Sequence, residues 1–334
     1  ITANAGSVIE QGNDNVQKIS GNLTLNTSSL FRHTALTLSS TTPMINVDAN
    51  NVYLNGGVID ASGLGYAGGG IGENGSGPYS GFAGLVAGGG GANCGDGGNG
   101  VDGVGGFAGA SPALFPATFD YGSGGGGNST RSGGNGGGKI KITARNILNL
   151  SRANIFAYGS NFSDATVVSG GGGGSIWLTA KNFLVHSPLD LPRVLGGGQS
   201  VAGSSGGGGG GGCIRLDYFV TTSIGTSNSV VKYLTNGGTG QNNGMRGDFR
   251  VYQKSAPVLN LNVSSGVPAL TTSLLAWNWG GGSLESKYEI YDVNYSGAIG
   301  TQLFTSSNTT TLSTTISGRL PASFYRYAVR SVTT

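Results

Sequence analysis

Charge is scarce in this chain. Only 10% of its 334 residues are Asp, Glu, Lys or Arg, and the formal net charge is +3. The lysines and arginines are scattered, and no basic run is interleaved with aromatics, which argues against a nucleic-acid partner. Histidine occurs twice and cysteine twice. There is no CxxC and no histidine pair, so no metal site and no cofactor are expected. No stretch reaches the roughly 18 apolar residues of a membrane span. The chain opens at Ile1 with neither a Met nor a signal peptide, as expected of a mature, processed or excised segment. Low charge with many Ser, Thr, Asn and Gly residues suits an extracellular surface.

Glycine is what the chain has in excess: 67 residues, where usage of about 7% is ordinary. Disordered chains are poor in aliphatics and aromatics and rich in charge. This one is 37% hydrophobic and 8% aromatic, enough to bury a core. Glycine is therefore read as an architectural element, and the length allows about two domains.

A repeat emerges from three segments, "MINVDANNVYLNGGVIDASG" from Met44, "KIKITARNILNLSRANIFAYG" from Lys139 and "SIWLTAKNFLVHSPLDLPRVLGG" from Ser175. They share the frame Ile-x-[Ile/Val/Leu]-x-Ala-x-Asn, carried by Ile45, Val47, Ala49 and Asn51, by Ile140, Ile142, Ala144 and Asn146, and by Ile176, Leu178, Ala180 and Asn182. Ile214, Leu216 and Tyr218 start a fourth unit, and Phe249 and Val251 a fifth. Apolar residues two apart fill one face of a strand. The Ala narrows the layer before a bend, the Asn is expected at a turn, and a second strand follows, as at Ala153, Ile155 and Ala157. A unit that buries one face must stack on a neighbour, with like residues above one another. The expectation is a right-handed parallel β-helix.

These units resemble the rungs of filamentous-haemagglutinin-type and autotransporter surface proteins, over roughly residues 20–63 and 139–254. The resemblance implies a secreted, adhesive or structural protein. The chain departs from those families in its long glycine tracts.

The tracts Gly88–Gly91, Gly124–Gly127, Gly170–Gly174 and Gly206–Gly212 mostly lie between the apolar units. Backbones without side chains can approach closely and bond to one another, and in crowded threefold arrays only glycine fits. The expected result is a polyglycine-II-like layer flanking the β-helix, with residues 64–138 as its largest part. Tyr66, Tyr79, Phe82, Phe107, Phe115, Phe119 and Tyr121 are expected to cover it. Cys94 and Cys213 each adjoin a tract; they are either two free thiols or one extracellular disulfide tying two glycine loops together. Nine N-x-S/T sequons, among them Asn22, Asn26, Asn74 and Asn128, permit glycosylation without showing it.

The composition changes near Gln253. "TTSLLAWNWGG", "SKYEIYDVN" and the ending Leu320-Pro321…Tyr325-x-Tyr327-x-Val329 resemble a fibronectin type III domain over residues 255–334. The resemblance implies an immunoglobulin-like β-sandwich, with Trp277 and Val329 in its core and Tyr325 or Tyr327 making the tyrosine corner. Such a domain has seven strands, and only six can be counted here. Either the chain is part of a longer protein, or a neighbour supplies the last strand. Residues 1–19 stand apart from the glycine-rich domain at 20–254, and "ITANAGSVIEQ" belongs to no clear unit. Its Ile1, Ala3, Ala5, Val8 and Ile9 form the candidate donor strand. Head-to-tail donation would build a filament.

No catalytic constellation appears. Asp60, Asp96, Asp102, Asp120, Asp164, Asp190, Asp217 and Asp248 are spread singly, and Glu73 and Glu285 have no acid–base partner in sequence. His33 and His186 read as strand or turn surface. "GGNGVDGVG" from Gly97 fits a calcium nonapeptide but occurs once, whereas such sites need tandem copies. "RGD" at Arg246 reads as a chance tripeptide. Trp177 alone could serve a sugar platform, and packing against glycine is the simpler role. The chain is expected to be a non-enzymatic cell-surface protein, a fibre subunit forming a homopolymer. The alternatives are a segment of a large adhesin, or a β-helix that binds or cleaves carbohydrate on glycans or other cells.

Overall fold

The computed structural model describes residues 1–36, 42–110, 112–150, 152, 154–160, 168–185, 191–197, 205–221, 234–253, 259–265, 273–278, 287–293, 299–306, 313–317 and 327–332. The chain is all-β with almost no helix; Pro112–Leu114 forms a short 3-10 turn. It divides into two compact units, Ile1–Asp217 with Thr222–Tyr252, and Tyr218–Thr221 with Gln253–Thr334.

In the first unit the chain alternates between two parallel sheets. The larger contains β1 (Thr2–Ala3), β3 (Gln17–Asn26), β5 (Ile45–Asn55), β7 (Lys139–Asn149), β9 (Ser175–Leu184), β10 (Cys213–Thr221) and β11 (Asp248–Gln253), in that spatial order. The smaller contains β2 (Val8–Gln11), β4 (Leu30–His33), β6 (Val58–Asp60) and β8 (Asn154–Phe156), again in order. Each passage of the chain from β1 to β8 thus adds one strand to each sheet, and residues in equivalent frame positions stack. Ile45 pairs with Ile140 and Ile140 with Ile176; Ala49 pairs with Ala144 and Ala144 with Ala180. Ile59 and Ile155 pair in the smaller sheet. All of these are buried, so the core is a set of aliphatic columns rather than one central cluster.

The frame asparagine lies within a strand, not at a turn. The register of β5 on β7 shifts between Ala49 and Asn51, and that of β7 on β9 between Ala144 and Ile147, so the chain absorbs a bulge and continues. The side chains form a ladder: Asn146 Nδ2 donates to Asn51 Oδ1 (3.1 Å), and Asn51 Nδ2 donates to Asn22 Oδ1 (2.8 Å). A second ladder joins Asn4, Asn26 and Asn55. In the first ladder each amide satisfies its neighbour next to a place where the backbone register shifts.

The candidate donor strand is already engaged. Thr2 and Ala3 pair with Thr24 and Leu25, and Val8 and Ile9 with Leu30 and Phe31. Ala3 is buried, Ala5 sits in an exposed turn, and the Ile1 ammonium donates to Asn22 O (2.8 Å). Residues 1–11 are the first passage of the stack. Their pattern looked weak because both strands are short and each turns only one residue, Ala3 or Gln11, into a fully buried position.

The second unit has two three-stranded antiparallel sheets among the described residues. β12 (Leu259–Ser265), β13 (Ser273–Asn278) and β16 (Ser313–Ile316) form one, with β13 central. β15 (Ile299–Thr305), β14 (Lys287–Val293) and β17 (Tyr327–Val332) form the other, with β14 central. Leu275, Tyr288, Ile290 and Ile316 make a core shared by both sheets, and Tyr327 and Val329 pack against it. Trp277 lies in β13, but its side chain, like the whole of Tyr325, is outside the described residues.

Candidate functional site

The glycine tracts of the first unit are buried and hydrogen-bonded without being strands. A buried backbone must place every N–H and C=O. Segments 88–91, 95–98, 170–173, 194–197 and 238–248 surround the tract Gly206–Gly212 and supply the partners. Gly207 donates to Gly88 O (3.0 Å) and accepts from Gly170 N–H (3.0 Å). Three residues on, Gly210 donates to Gly91 O (2.8 Å) and accepts from Gly173 N–H (2.9 Å). Gly208 and Gly211 donate to Asn242 and Met245 and accept from Gly98 and Gly95. Gly209 and Gly212 donate to Gly197 and Val194. Partners therefore recur every three residues, and bonds leave the tract in three directions instead of the two of a sheet.

Space explains the residue type. A Cβ on Gly207 would lie 1.8 Å from Gly98 O, and one on Gly210 would lie 1.9 Å from Gly95 O. None of the glycines with positive φ (Gly6, Gly56, Gly63, Gly72 and Gly77) belongs to these four tracts, so in them close approach, not left-handed backbone, selects glycine.

Cys94 and Cys213 are disulfide-bonded, with Cα atoms 5.4 Å apart across a sequence separation of 119. The bond ties the glycine-rich segment to the first residue of β10. Beside it, buried Asn93 donates from Nδ2 to Gly173 O (2.8 Å) and Ser175 Oγ (3.2 Å).

Phe115, Phe119 and Trp177 pack edge-on or tilted at 5.0–6.0 Å between centroids. Trp177 Nε1 donates to Asp217 Oδ2 (3.0 Å), and the buried Arg215 pairs with Asp217 Oδ1 (2.9 Å). The Arg215 guanidinium lies over the rings of Trp177 and Tyr252, at 5.2 and 4.7 Å. Lys141 Nζ also sits over Trp177, at 4.7 Å. Trp177 is thus half-buried and packed among aromatic and cationic side chains of its own unit. Phe82 and Phe107, expected to cover the layer, are instead exposed.

His33 is completely buried, not a surface residue. Its Nδ1 donates to Thr34 O (2.6 Å) and its Nε2 accepts the Lys139 N–H (3.3 Å), which fixes the neutral tautomer. Burial, aided by the nearby Lys139 ammonium, pulls its pKa down to about 4 against the opposing Thr34 hydrogen bond. Tyr121 packs edge-on against it at 6.3 Å and donates to Pro43 O (2.9 Å). Burial and then the Asp120 charge raise the pKa of the Tyr66 hydroxyl, which donates to Asp120 at 3.4 Å.

The acids serve the backbone. The Asp102 carboxylate accepts N–H bonds from Leu85, Val86 and Ala87 (2.8–3.2 Å), which lower its pKa. Both oxygens of the nonapeptide-like Asp are therefore engaged within the chain. Asp96 accepts from Ala108 N–H, Asp60 from Ser62 N–H (2.8 Å) and Asp120 from Tyr121 N–H (2.7 Å). Asp248 pairs with Arg250 (2.9 Å), and Gly247 donates to Thr235 O (2.8 Å), so the "RGD" tripeptide is built into the glycine network and β11. Among the described residues no group of three or more His, Cys, Asp or Glu side chains is placed to hold a metal ion. Asp164, His186, Asp190 and Glu285 lie outside the described residues. Among the described residues no helix is long and apolar enough to cross a membrane. Comparison of the chain with protein-family models, curated proteins and solved structures gives no match.

Proposed function

We propose that this is an extracellular structural or adhesive surface protein. In this reading the first unit is a right-handed parallel β-helix backed by a polyglycine-II-like layer, and the second is a fibronectin type III-like sandwich lacking its last strand. The observation that carries it is the investment in rigidity. Three-directional backbone bonding and a disulfide hold together segments that carry almost no side chains. Such a layer keeps loops and edges in place, and Asp96, Asp102 and Asp120 found with it accept backbone N–H bonds. The disulfide supports an oxidising, extracellular location.

Among the described residues, strand β17 lies at the edge of its sheet. The edge of a sheet is where a further strand can add. The reading places there a strand from another copy in a head-to-tail fibre, or from elsewhere in the same polypeptide in a long adhesin. Residues 1–11 are not that strand, since their own unit holds them.

Electron microscopy of the native assembly on the producing cell tests this. The expected image is a surface-anchored assembly with density for one more strand beside β17. A protein found only inside cells, with β17 bare, would overturn the reading.

A further inference from the structure

Large apolar side chains stand in solvent at one edge of the glycine-rich region. Leu85 is 79% exposed, Ile71 63% and Val86 56%, and Phe82, Val101 and Val104 are about half exposed. Hydrogen bonds show that they share one edge. Phe82 N–H donates to Val104 O (2.8 Å), and the Asp102 carboxylate, next to Val101, binds the N–H groups of Leu85 and Val86. Gly72, beside Ile71, donates to Asn128 O (2.7 Å), and Asn128 Nδ2 donates to Val86 O (2.6 Å). Gly72, Ala83, Gly84, Leu85, Asp102 and Ser129 line one shallow concavity there.

The loops are held in this form. Besides Asp102, Asn74 Oδ1 accepts Ala83 N–H (2.8 Å), and Ser129 Oγ donates to Leu85 O (2.9 Å). Four side chains, those of Asn74, Asp102, Asn128 and Ser129, and a rigid backbone layer thus fix Leu85 and Val86 outward. Preorganised apolar display lowers the entropy cost of an encounter, which is how binding loops on rigid scaffolds work.

The six side chains expose roughly 500 Å² of apolar surface, near the upper end of what monomers leave bare. With the polar rim at Asn74, Ser129 and Thr130, the edge approaches the about 800 Å² per partner of a stable interface. The charged groups there are the Asp102 carboxylate, which backbone N–H groups occupy, and Glu73 and Arg131. Glu73 and Arg131 are both exposed and, among the described residues, make no ion pair. Their backbones sit side by side, since Gly127 donates to Glu73 O (2.9 Å) and Asn128 to Arg131 O (2.8 Å). Between Arg32 and Arg131 the sequence contains neither Lys nor Arg, so Arg131 is the cation that this stretch brings to the edge. With Glu73 and Arg131 side by side on its rim, the edge is complementary to itself when a twofold axis runs between them. In a twofold contact each Glu73 meets the other copy's Arg131 while the apolar side chains bury one another.

We infer that this edge pairs two copies of the chain. This contact is separate from any strand added at β17. Filaments lost with pairs intact would indict the fibre reading, and pairs lost with filaments intact this one.

Sedimentation velocity of the full chain over a range of concentrations tests it. The wild type is expected to form dimers reversibly, and Leu85→Asp to weaken dimerisation by about thirtyfold or more. Glu73→Lys and Arg131→Glu are each expected to weaken it, and the double variant to recover. Because all three positions are exposed, the variants should keep the wild-type melting temperature. A wild type that stays monomeric, dimers indifferent to Leu85→Asp, or a double variant no better than the single ones would overturn the inference.

Discussion

The Cβ that Gly209 lacks would lie 1.9 Å from the carbonyl oxygen of Gly171. That oxygen also accepts the Gly197 N–H at 2.8 Å, so it cannot retreat without breaking a bond between two further segments. Gly209→Ala should destabilise the first unit by about 3 kcal/mol or more, beyond the usual cost of overpacking, because backbone and not a side chain must yield. Gly21 in β3 is the control, since an added Cβ meets nothing within 4 Å. Gly21→Ala should be neutral or stabilising by about 0.5–1 kcal/mol. Calorimetry of the two variants checks both signs.

The disulfide between Cys94 and Cys213 closes a loop of 119 residues. A loop that long removes about 5 kcal/mol of unfolded-state entropy in the chain-entropy account. Cys94→Ser with Cys213→Ser should lower the denaturation midpoint of the first unit strongly, and reductant should then have no further effect on that variant. Urea titration with and without reductant reads both.

His33 links stability to pH. Its folded pKa of about 4 lies below the unfolded value of 6.5, so between these values the unfolded chain binds the proton that the folded chain refuses. Its contribution is fully present above pH 6.5, is lost as pH falls toward 4, and totals about 3 kcal/mol. His33→Gln should be less stable at neutral pH and should lack this part of the acid sensitivity. Unfolding free energies of the two proteins across this range measure the difference.

Asp217 holds the cluster over Trp177. Asp217→Ala leaves Arg215 buried without its carboxylate and Trp177 Nε1 without its acceptor, and should cost about 3–5 kcal/mol. Trp177 fluorescence during unfolding should shift accordingly, while Arg250→Ala, which breaks an exposed pair, should change stability by less than about 1 kcal/mol.

The aliphatic columns were legible because a parallel stack repeats one residue pattern at each level, and Ile45, Ile140 and Ile176 carry it plainly. The first passage was not legible, since β1 turns only Ala3 inward and its pairing with Leu25 is set by chain return rather than by local pattern. The Asn position is plain in the sequence but its role is not, since the residue suits a bulge within a strand as well as a turn between strands. Tract recurrence pointed to an ordered glycine layer, but glycines carry no mark of which segment faces which. His33 was read as surface because only the fold brings the Lys139 N–H to its Nε2. Strand alternation turns Trp177 away from Ile176 and Leu178, but its cover, Phe115 and Arg215, comes from distant sequence. The outward Leu85 and Val86 left no sign beyond the Asp102 that holds them.

Amide hydrogen exchange across Gly207–Gly212 is the most direct test that the glycines form a bonded layer. The account predicts that these amides exchange as slowly as those of Ile140 and Ile142 in β7, through opening of the whole unit. Exchange at the rate of free peptide, with β7 still protected, would show loose loops and contradict it.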